Sequence, residues 1–398
     1  MVALVVLAVG CTARANSRAN PSPEGLPNAS PSASIDVGGD RLLVLRADGN
    51  LVTMGRDGDA VLQLTTDAGP AVVVRQPVAS PNGRSLAWIE IRGSQASVVT
   101  VSRFGEHRVE LPLQLAPFYL QWDPTSSRLV YLGNLGASIG LGVIDQAVVQ
   151  PHDVPVGGGV PLYLSWAPSG TGLFVHVGAD TLGRTDLTHP LRPVDDVPGT
   201  FQAPVWLPDG RVVYVARHGS HQRLVVTGTG GRAVLATVTG GALFEASPDG
   251  RRVAYRLDRP DGSQAGVFVQ PTDGGRPVLV TTRETTAFFW SPDSRSLLLL
   301  TPDHATSSEP THRWRVWDGH ERFVSAPFEP SPRSFQEYLP FFDQYAQALT
   351  PWAPDSSAFA YAGFSHGQAG IWVQPIAADA APTMVSDGDF VAWSPAAG

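Results

Sequence analysis

The chain has 398 residues, 41 Gly, 35 Pro, a single Cys and a formal net charge of −8. The acidic balance argues against nucleic acid as a partner, and one cysteine excludes an internal disulfide. The abundance of turn-forming residues suits one large domain built from short strands, which we expect to carry no metal or organic cofactor.

The N-terminus resembles the end of a lipoprotein signal peptide. Residues 2–9 are apolar and are followed by Gly10 and Cys11, a stretch too short to span a bilayer. We predict a signal peptide over residues 1–11, with Cys11 lipidated. The alternative is an uncleaved apolar tail. The usual positive n-region is missing, which is consistent with a start codon further upstream. Residues 12–36 are rich in Ser, Pro and Ala and predict a flexible tether, and residues 37–398 predict the folded domain.

A short phrase recurs through that domain. It begins with a bulky residue, continues with a Pro-containing turn such as Pro-Asp-Gly, and ends in an apolar run closed by an aromatic residue. Two clear copies are Trp206-Leu-Pro-Asp-Gly-Arg-Val-Val-Tyr214 and Ala246-Ser-Pro-Asp-Gly-Arg-Arg-Val-Ala-Tyr255. Pro fixes φ, Asp bonds back to the backbone and Gly permits positive φ, so the phrase predicts a tight turn between two strands.

The spacing of the phrase predicts the architecture. Its prolines stand at positions 81, 124, 168, 208, 248, 292, 354 and 395, giving intervals of 43, 44, 40, 40, 44, 62 and 41 residues. A period of about 40–45 residues with strand-like content is the length of a four-stranded propeller blade. We therefore predict an all-β, eight-bladed β-propeller. Seven blades remain possible, because residues 172–194 contain few clear strands.

The two ends of the domain predict how the ring closes. The last phrase supplies one strand near Phe390, while residues 41–65 supply three more with no first strand of their own. We expect these segments to complete one sheet, with Phe390 beside Leu43, because such closure removes exposed sheet edges. The six Trp residues that share one repeat position are predicted to be core wedges; they are Trp122, Trp166, Trp206, Trp290, Trp352 and Trp393.

The phrase Trp-Ser-Pro-Asp-Gly-Arg-x-Leu-Ala-Tyr resembles the repeats of TolB-type propellers, a subgroup related to WD-repeat propellers, over residues 40–398. The resemblance implies a propeller; its members include periplasmic scaffolds and the substrate-gating domains of prolyl-oligopeptidase-like enzymes. We expect neither the α/β domain that precedes the TolB propeller nor a following hydrolase domain.

Three loops predicted between second and third strands carry histidines: His218 and His221, His304, and His366. They are expected on one face of the ring, called the top, opposite the Pro-Asp-Gly turns. These residues are candidate ligand or metal sites, since imidazole is a common metal ligand. Ser365 lies in a Gly-x-Ser-x-Gly match, but a strand is predicted after it instead of the helix that a nucleophile elbow needs. We assign no catalytic residue.

The 62-residue interval contains an insertion, residues 329–345, predicted to link one blade to the next on the top face. Its conspicuous residues are candidates for partner binding; they are Phe335, Tyr338, Phe341, Phe342, Tyr345 and Asp343. Exposed aromatic residues on a loop are typical interface anchors. Alternatively, Phe335, Tyr338 and Phe342 form the apolar stripe of a short helix that packs onto the propeller, and both readings can hold together.

The sequence thus predicts a monomeric, lipid-anchored extracytoplasmic propeller, periplasmic or on the cell surface, that binds a protein or peptide through its top face and is not an enzyme. The alternative is an extracytoplasmic hydrolase or lyase, or a small-ligand or glycan-binding propeller, that uses the His-bearing loops at the channel mouth. Convergence of these histidines with a carboxylate such as Asp303 or Asp343 would favour the enzyme.

Overall fold

The computed structural model describes residues 39–303, 311–377 and 379–397, and these form a ring of eight antiparallel sheets. Cys11, the tether 12–36 and His304 lie outside the described residues. No helix in the described part of the chain is long and apolar enough to cross a membrane. The predicted eight-bladed propeller is confirmed.

Both ends of the domain contribute to blade 1, as predicted. The innermost strand β33 (Phe390–Ser394) pairs antiparallel with β1 (Arg41–Leu45), so that Phe390 faces Leu45 and Ala392 faces Leu43. Strands β2 (Leu51–Met54) and β3 (Leu62–Gln63) complete the sheet. Every residue of β1 and β2 is buried, because these strands pack between two neighbouring blades.

Blades 2 to 4 are regular four-stranded sheets in chain order. Blade 4 contains residues 172–194, the weak unit of the sequence, which supply three of its strands, so the seven-bladed alternative is wrong. The strands are β4 (Val72–Ala79), β5 (Ser85–Arg92), β6 (Gln95–Ser102) and β7 (Val109–Pro112); β8 (Ala116–Trp122), β9 (Arg128–Leu135), β10 (Ser138–Asp145) and β11 (Gln150–Asp153); β12 (Leu162–Trp166), β13 (Leu173–Val177), β14 (Thr181–Thr185) and β15 (Arg192–Pro193).

Blades 5 and 8 have an innermost strand that is split in two, whereas blades 6 and 7 are regular. In blade 5 the halves are β16 and β17, and in blade 8 they are β29 and a bridge from Trp352 to Phe359. The strands are β16 (Val197–Pro198), β17 (Val205–Trp206), β18 (Val212–His218), β19 (His221–Gly228) and β20 (Gly231–Val238); β21 (Ala242–Ala246), β22 (Arg252–Asp258), β23 (Gln264–Pro271) and β24 (Val278–Thr281); β25 (Ala287–Trp290), β26 (Leu297–Asp303), β27 (Thr311–Trp317) and β28 (Glu321–Val324); β29 (Glu329–Pro330), β30 (Ala358–Ser365), β31 (Gln368–Pro375) and β32 (Thr383–Ser386).

Four of the six repeated Trp residues bond to the blade before them, whereas the indole N–H groups of Trp122 and Trp206 have no partner among the described residues. The indole N–H of Trp290 donates to the carbonyl of Glu245 at 3.2 Å, and that of Trp352 donates to Phe289 at 3.0 Å. In both cases the acceptor belongs to the preceding blade. It stands one residue before that blade's own copy of the repeated position. Trp393 makes a similar bond to Pro351, and Trp166 to Gln121. The wedge role predicted for these residues now includes a directional bond that helps to fix how adjacent blades pack.

The Pro-Asp-Gly turns also interlock along the bottom face. Ser294 and Ser356 take the place of Gly in their copies of the phrase and adopt φ values of 62° and 61°. The hydroxyl of Ser294 accepts the backbone N–H of Asp249 at 3.0 Å, and that of Ser356 accepts the N–H of Asp293 at 3.1 Å. A non-glycine residue in this left-handed region is strained, and the bond to the preceding blade offsets that strain.

Candidate functional site: the plugged channel

The insertion lies inside the central channel and is not confined to the top face. It interrupts the innermost strand of blade 8, instead of linking blade 7 to blade 8 as the sequence analysis expected. The chain leaves β29 after Pro330 near the top and rejoins the sheet at Trp352 near the bottom. Between them come helical turns at Ser334–Tyr338, Leu339–Phe341 and α1 (Phe342–Tyr345). We call residues 331–350 the plug.

The upper part of the plug is held by charged and aromatic contacts. Arg333 pairs with Asp389 at 3.0 Å, in the loop that leads into the innermost strand of blade 1. Glu337 lies 3.9 Å from Arg75 on the innermost strand of blade 2. The ring of Tyr338 lies 5.1 Å from that of Phe390. The plug is therefore anchored where the chain enters the channel.

The lower part of the plug is held by polar side chains directed at the channel wall. Gln344 accepts the backbone N–H of Leu164 at 2.7 Å and donates to the carbonyl of the same residue at 3.1 Å. Its amide also donates to the hydroxyl of Tyr119 at 2.9 Å. Gln344 thus acts like an additional strand residue, because it satisfies both backbone groups on the open edge of an innermost strand.

Asp343 connects the two interrupted strands. Its carboxylate accepts the backbone N–H of Ala203 at 2.7 Å, in the segment that separates β16 from β17. Gln347 donates to the carbonyl of Pro204 in the same segment at 3.1 Å. The break in blade 5 therefore exposes backbone groups that the plug of blade 8 satisfies.

The aromatic residues predicted for partner binding divide into two groups. Phe342 is buried against Phe288, with ring centroids 5.1 Å apart, and Tyr345 donates its hydroxyl to the carbonyl of Phe118. Phe335 and Phe341 are instead 44% and 43% exposed. The packing expected of an apolar stripe holds for Tyr338 and Phe342, while Phe335 stays exposed.

Two carboxyl groups, on the plug and on the innermost strand of blade 6, influence each other electrostatically. Burial raises the pKa of Asp343 to about 6, opposed by the N–H groups of Ala203 and Gln344 and by Arg256. Burial raises the pKa of Glu245, on β21, to about 8, and the charge of Asp343 raises it further. One carboxylate oxygen of Glu245 is buried with no hydrogen-bond partner among the described residues. The protonated form of Glu245 is therefore favoured at neutral pH.

The histidine candidates within the described residues, His218, His221 and His366, lie on hairpins, as predicted. His218 and His221 face each other across the β18–β19 turn, and both are exposed. His366 is exposed and contacts the ring of Trp372, while Asp303 pairs with Arg313 at 2.9 Å. Within residues 39–303, 311–377 and 379–397, no group of three or more His, Cys, Asp or Glu is placed to hold a metal ion. The Gly-x-Ser-x-Gly match leads into strand β31, so it is a hairpin, as expected.

Sequence reasoning missed the wall residues that receive the plug: Tyr119, Gln121, Leu164 and Glu245. A signal for two of them was present. Gln121 and Glu245 stand immediately before the repeated bulky position, in innermost strands that are otherwise apolar. A polar side chain recurring there indicates that the channel contains something polar.

The chain is similar in fold to several solved propellers. It matches a eukaryotic initiation factor with a TM-score of 0.57 and 12% identity, over 90% of this chain and 99% of that one. It matches an oligogalacturonate lyase from Vibrio parahaemolyticus with a TM-score of 0.50 and 13% identity, over 80% of this chain and 87% of that one.

TolB from Acinetobacter baumannii is also similar, with a TM-score of 0.43 and 14% identity, over 64% of this chain. The chain spans 62% of the length of that TolB. No family model and no curated protein matches the sequence. TolB proteins and other propellers are thus among the structural neighbours of the chain, and at these identities the likeness shows the fold alone.

Proposed function

We propose that the chain is a lipid-anchored, extracytoplasmic β-propeller that binds a protein or peptide partner through its top face. The observation that carries the proposal is the distribution of exposed phenylalanines. Among the described residues, five Phe side chains are more than two fifths exposed: Phe104, Phe201, Phe335, Phe341 and Phe364. Aromatic anchors of this kind contribute most of the binding energy at many protein interfaces.

Four of the five lie on the plug or near the top face. Phe335 contacts His312, near the start of β27, and Phe364 is at the top end of β30. Phe201 stacks with His176, near the top end of β13, and Phe341 belongs to the plug. Phe104 alone lies in a turn between third and fourth strands on the bottom face. The plug occupies the central channel, which favours binding at the outer surface of the ring over binding inside the channel.

The experiment compares partner capture from membranes by three versions of the full chain: the wild type, a Phe335→Ala/Phe341→Ala double variant and a Phe104→Ala control. Phe104 is 42% exposed, so it is matched in side chain and exposure to the plug residues. We expect a partner that the wild type and the control retain and the double variant loses. Equal capture by all three versions would remove the plug surface from the proposal.

The anchor is tested separately with Cys11→Ser. Cys11 is the only cysteine, so its replacement removes the one acceptor of a thioether-linked lipid. We expect the chain to move from the membrane fraction to the soluble fraction, with its capture of the partner unchanged. A Cys11→Ser chain that stays with membranes would contradict lipid anchoring and leave the binding proposal intact.

A further inference from the structure

Residues 199–204 interrupt the innermost strand of blade 5, between β16 and β17, and carry the exposed side chain of Phe201. The two ends of this segment are fixed. The N–H of Gly199 donates to a carbonyl of β18 at 2.9 Å, and the carbonyl of Pro204 accepts a bond from Gln347 of the plug at 3.1 Å. The position of Phe201 therefore depends on what holds the middle of the segment.

Two side chains from different parts of the ring hold adjacent residues in the middle of the segment. Nδ1 of His176, on β13 of blade 4, lies 3.0 Å from the carbonyl oxygen of Gln202. The carboxylate of Asp343, on the plug, accepts the N–H of Ala203 at 2.7 Å. The ring of His176 is also stacked against that of Phe201, with centroids 6.5 Å apart. His176 thus contacts both the backbone of the segment and its exposed aromatic side chain.

The bond to Gln202 defines the tautomer of His176. A carbonyl oxygen only accepts, so Nδ1 carries the hydrogen, and in the neutral ring Nε2 has none. Nε2 is buried with no hydrogen-bond partner among the described residues, and the residue as a whole is 2% exposed. A proton added at Nε2 would create a buried charge without a hydrogen-bond acceptor, which is costly. The closed segment therefore favours a neutral His176.

The surroundings of His176 do not compensate for a positive charge. Burial lowers the pKa of His176 from its ordinary value of 6.5 and outweighs two backbone hydrogen bonds that raise it; among the described residues, no carboxylate contributes. The titratable side chain in ring contact is Tyr163 of β12, at 5.8 Å. On the nearby hairpins Asp180 is already paired with Arg217 at 3.1 Å, and Asp343 is bonded to the segment itself. Because the pKa is lowered in the closed segment, closure is fully favoured above pH 6.5 and loses stability as the pH falls below that value.

We propose that His176 is an acid-sensitive latch for residues 199–204: the neutral ring holds the segment with Phe201 exposed near the top face, and protonation releases the middle of the segment. The step transfers one proton from solvent to Nε2 and breaks no covalent bond. The inference rests on the proposed function only in assigning Phe201 to the partner surface. Its test needs no partner, so its result is independent of the capture experiment.

The test is amide hydrogen exchange of the full chain, read by mass spectrometry and expressed as protection relative to an unstructured peptide at the same pH. The reporter is the N–H of Ala203, which is bonded in the closed segment. We expect peptides that span residues 199–206 to lose about five-fold in protection between pH 7.5 and pH 5. The N–H of Leu164, bonded by Gln344 of the plug, is the internal control and should keep its protection. Equal protection of residues 199–206 at both pH values would overturn the proposal.

Two variants identify the group that titrates. His176→Asn keeps a donor near the position of Nδ1 and takes up no proton in this range, so the protection of residues 199–206 should no longer depend on pH. Asp343→Asn keeps an oxygen that can accept the Ala203 N–H, so it should retain the loss of about five-fold. A loss that Asp343→Asn abolishes would assign the response to the plug carboxyl and overturn the latch, and this result decides the matter even if His176→Asn does not fold.

Discussion

The bottom face and the channel are built by opposite strategies. On the bottom face, short turns of one design repeat from blade to blade and bond to their neighbours through the same atoms, as Ser294 does to Asp249. In the channel, a single segment makes a different contact with each wall it meets, such as Gln344 with Leu164 and Asp343 with Ala203. The repeated region therefore specifies the ring, and the unrepeated plug specifies what occupies its channel.

The comparison predicts how stability is distributed. Each bottom contact has several copies, so the loss of one should be tolerated. The plug contacts occur once, and they satisfy backbone groups or fill space that nothing else reaches. Variants in the channel should therefore destabilise the protein more than variants in the turns.

The largest effect is expected for Phe342→Ala. Phe342 is 3% exposed and contacts Phe288 and Phe289, so its truncation should cost about 3–5 kcal/mol in the free energy of unfolding. The adjacent Phe341→Ala, at an exposed site, should change it by under about 1 kcal/mol. Denaturant unfolding of both variants measures the difference. Similar losses for the two would show that the plug does not pack as a core element.

A smaller loss is expected for Gln344→Ala. Removing the side chain leaves the N–H and C=O of Leu164 without these partners, and we expect a cost of about 2–3 kcal/mol. Gln347→Ala, which removes the bond to the Pro204 carbonyl, is the control and should cost about 1 kcal/mol. Thermal unfolding should rank the two variants in this order. The reverse order would contradict the strand-like role of Gln344.

The carboxyl groups of Glu245 and Asp343 predict a pH dependence. The pKa of Glu245 is raised to about 8 in the folded chain, from an ordinary value of 4.5. Between these values the folded state binds more protons than the unfolded state, so stability falls as the pH rises through this window. Glu245→Gln should remove that loss, stabilising the chain at pH 8.5 more than at pH 5.

Asp343→Asn should likewise remove the stability that the wild type loses when Asp343 ionises. In the wild type that loss should be complete near pH 6, because the pKa of Asp343 is raised only to about 6. Unfolding curves at pH 5 and pH 8.5 compare the two variants. Equal gains for Glu245→Gln at both pH values would count against a buried, protonated Glu245.

The smallest effect is expected in the turns. Ser294→Ala loses the bond to the Asp249 N–H and keeps the left-handed backbone, at a cost of about 1 kcal/mol. Ser294→Gly loses the same bond but relieves the backbone strain, so it should cost less than Ser294→Ala. Unfolding midpoints of the two variants decide the order. An alanine variant as stable as the wild type would show that the bond contributes nothing.

The repeats made the ring predictable, because each blade contains the same local turn and the same Trp position. The pairing of the segment around Phe390 with the segment around Leu43, across almost the whole chain, followed from counting strands, although the register places Phe390 opposite Leu45. The path of the plug through the channel could not be predicted from the sequence. Its helical stripe of Tyr338 and Phe342 indicated packing, but no local pattern reveals whether a segment lies over a channel or inside it.

The partners of the plug were hidden for the same physical reason. Gln344 recognises backbone atoms of Leu164, and Asp343 recognises the N–H of Ala203. Backbone groups are identical in every residue, so the sequence carries no mark of them. Only the break in the innermost strand of blade 5 makes the Ala203 group available, and that break is a tertiary feature.

The closure of blade 1 also ties both ends of the described domain to one face. The N–H of Ala396 donates to the carboxylate of Asp40 at 2.8 Å, and the carbonyl of Gly39 accepts a bond from Arg103, in a turn of the bottom face. The residues on either side of the closing sheet are therefore bonded to each other and to the next blade, so that opening the ring at blade 1 requires these bonds to break together with the pairing of its strands.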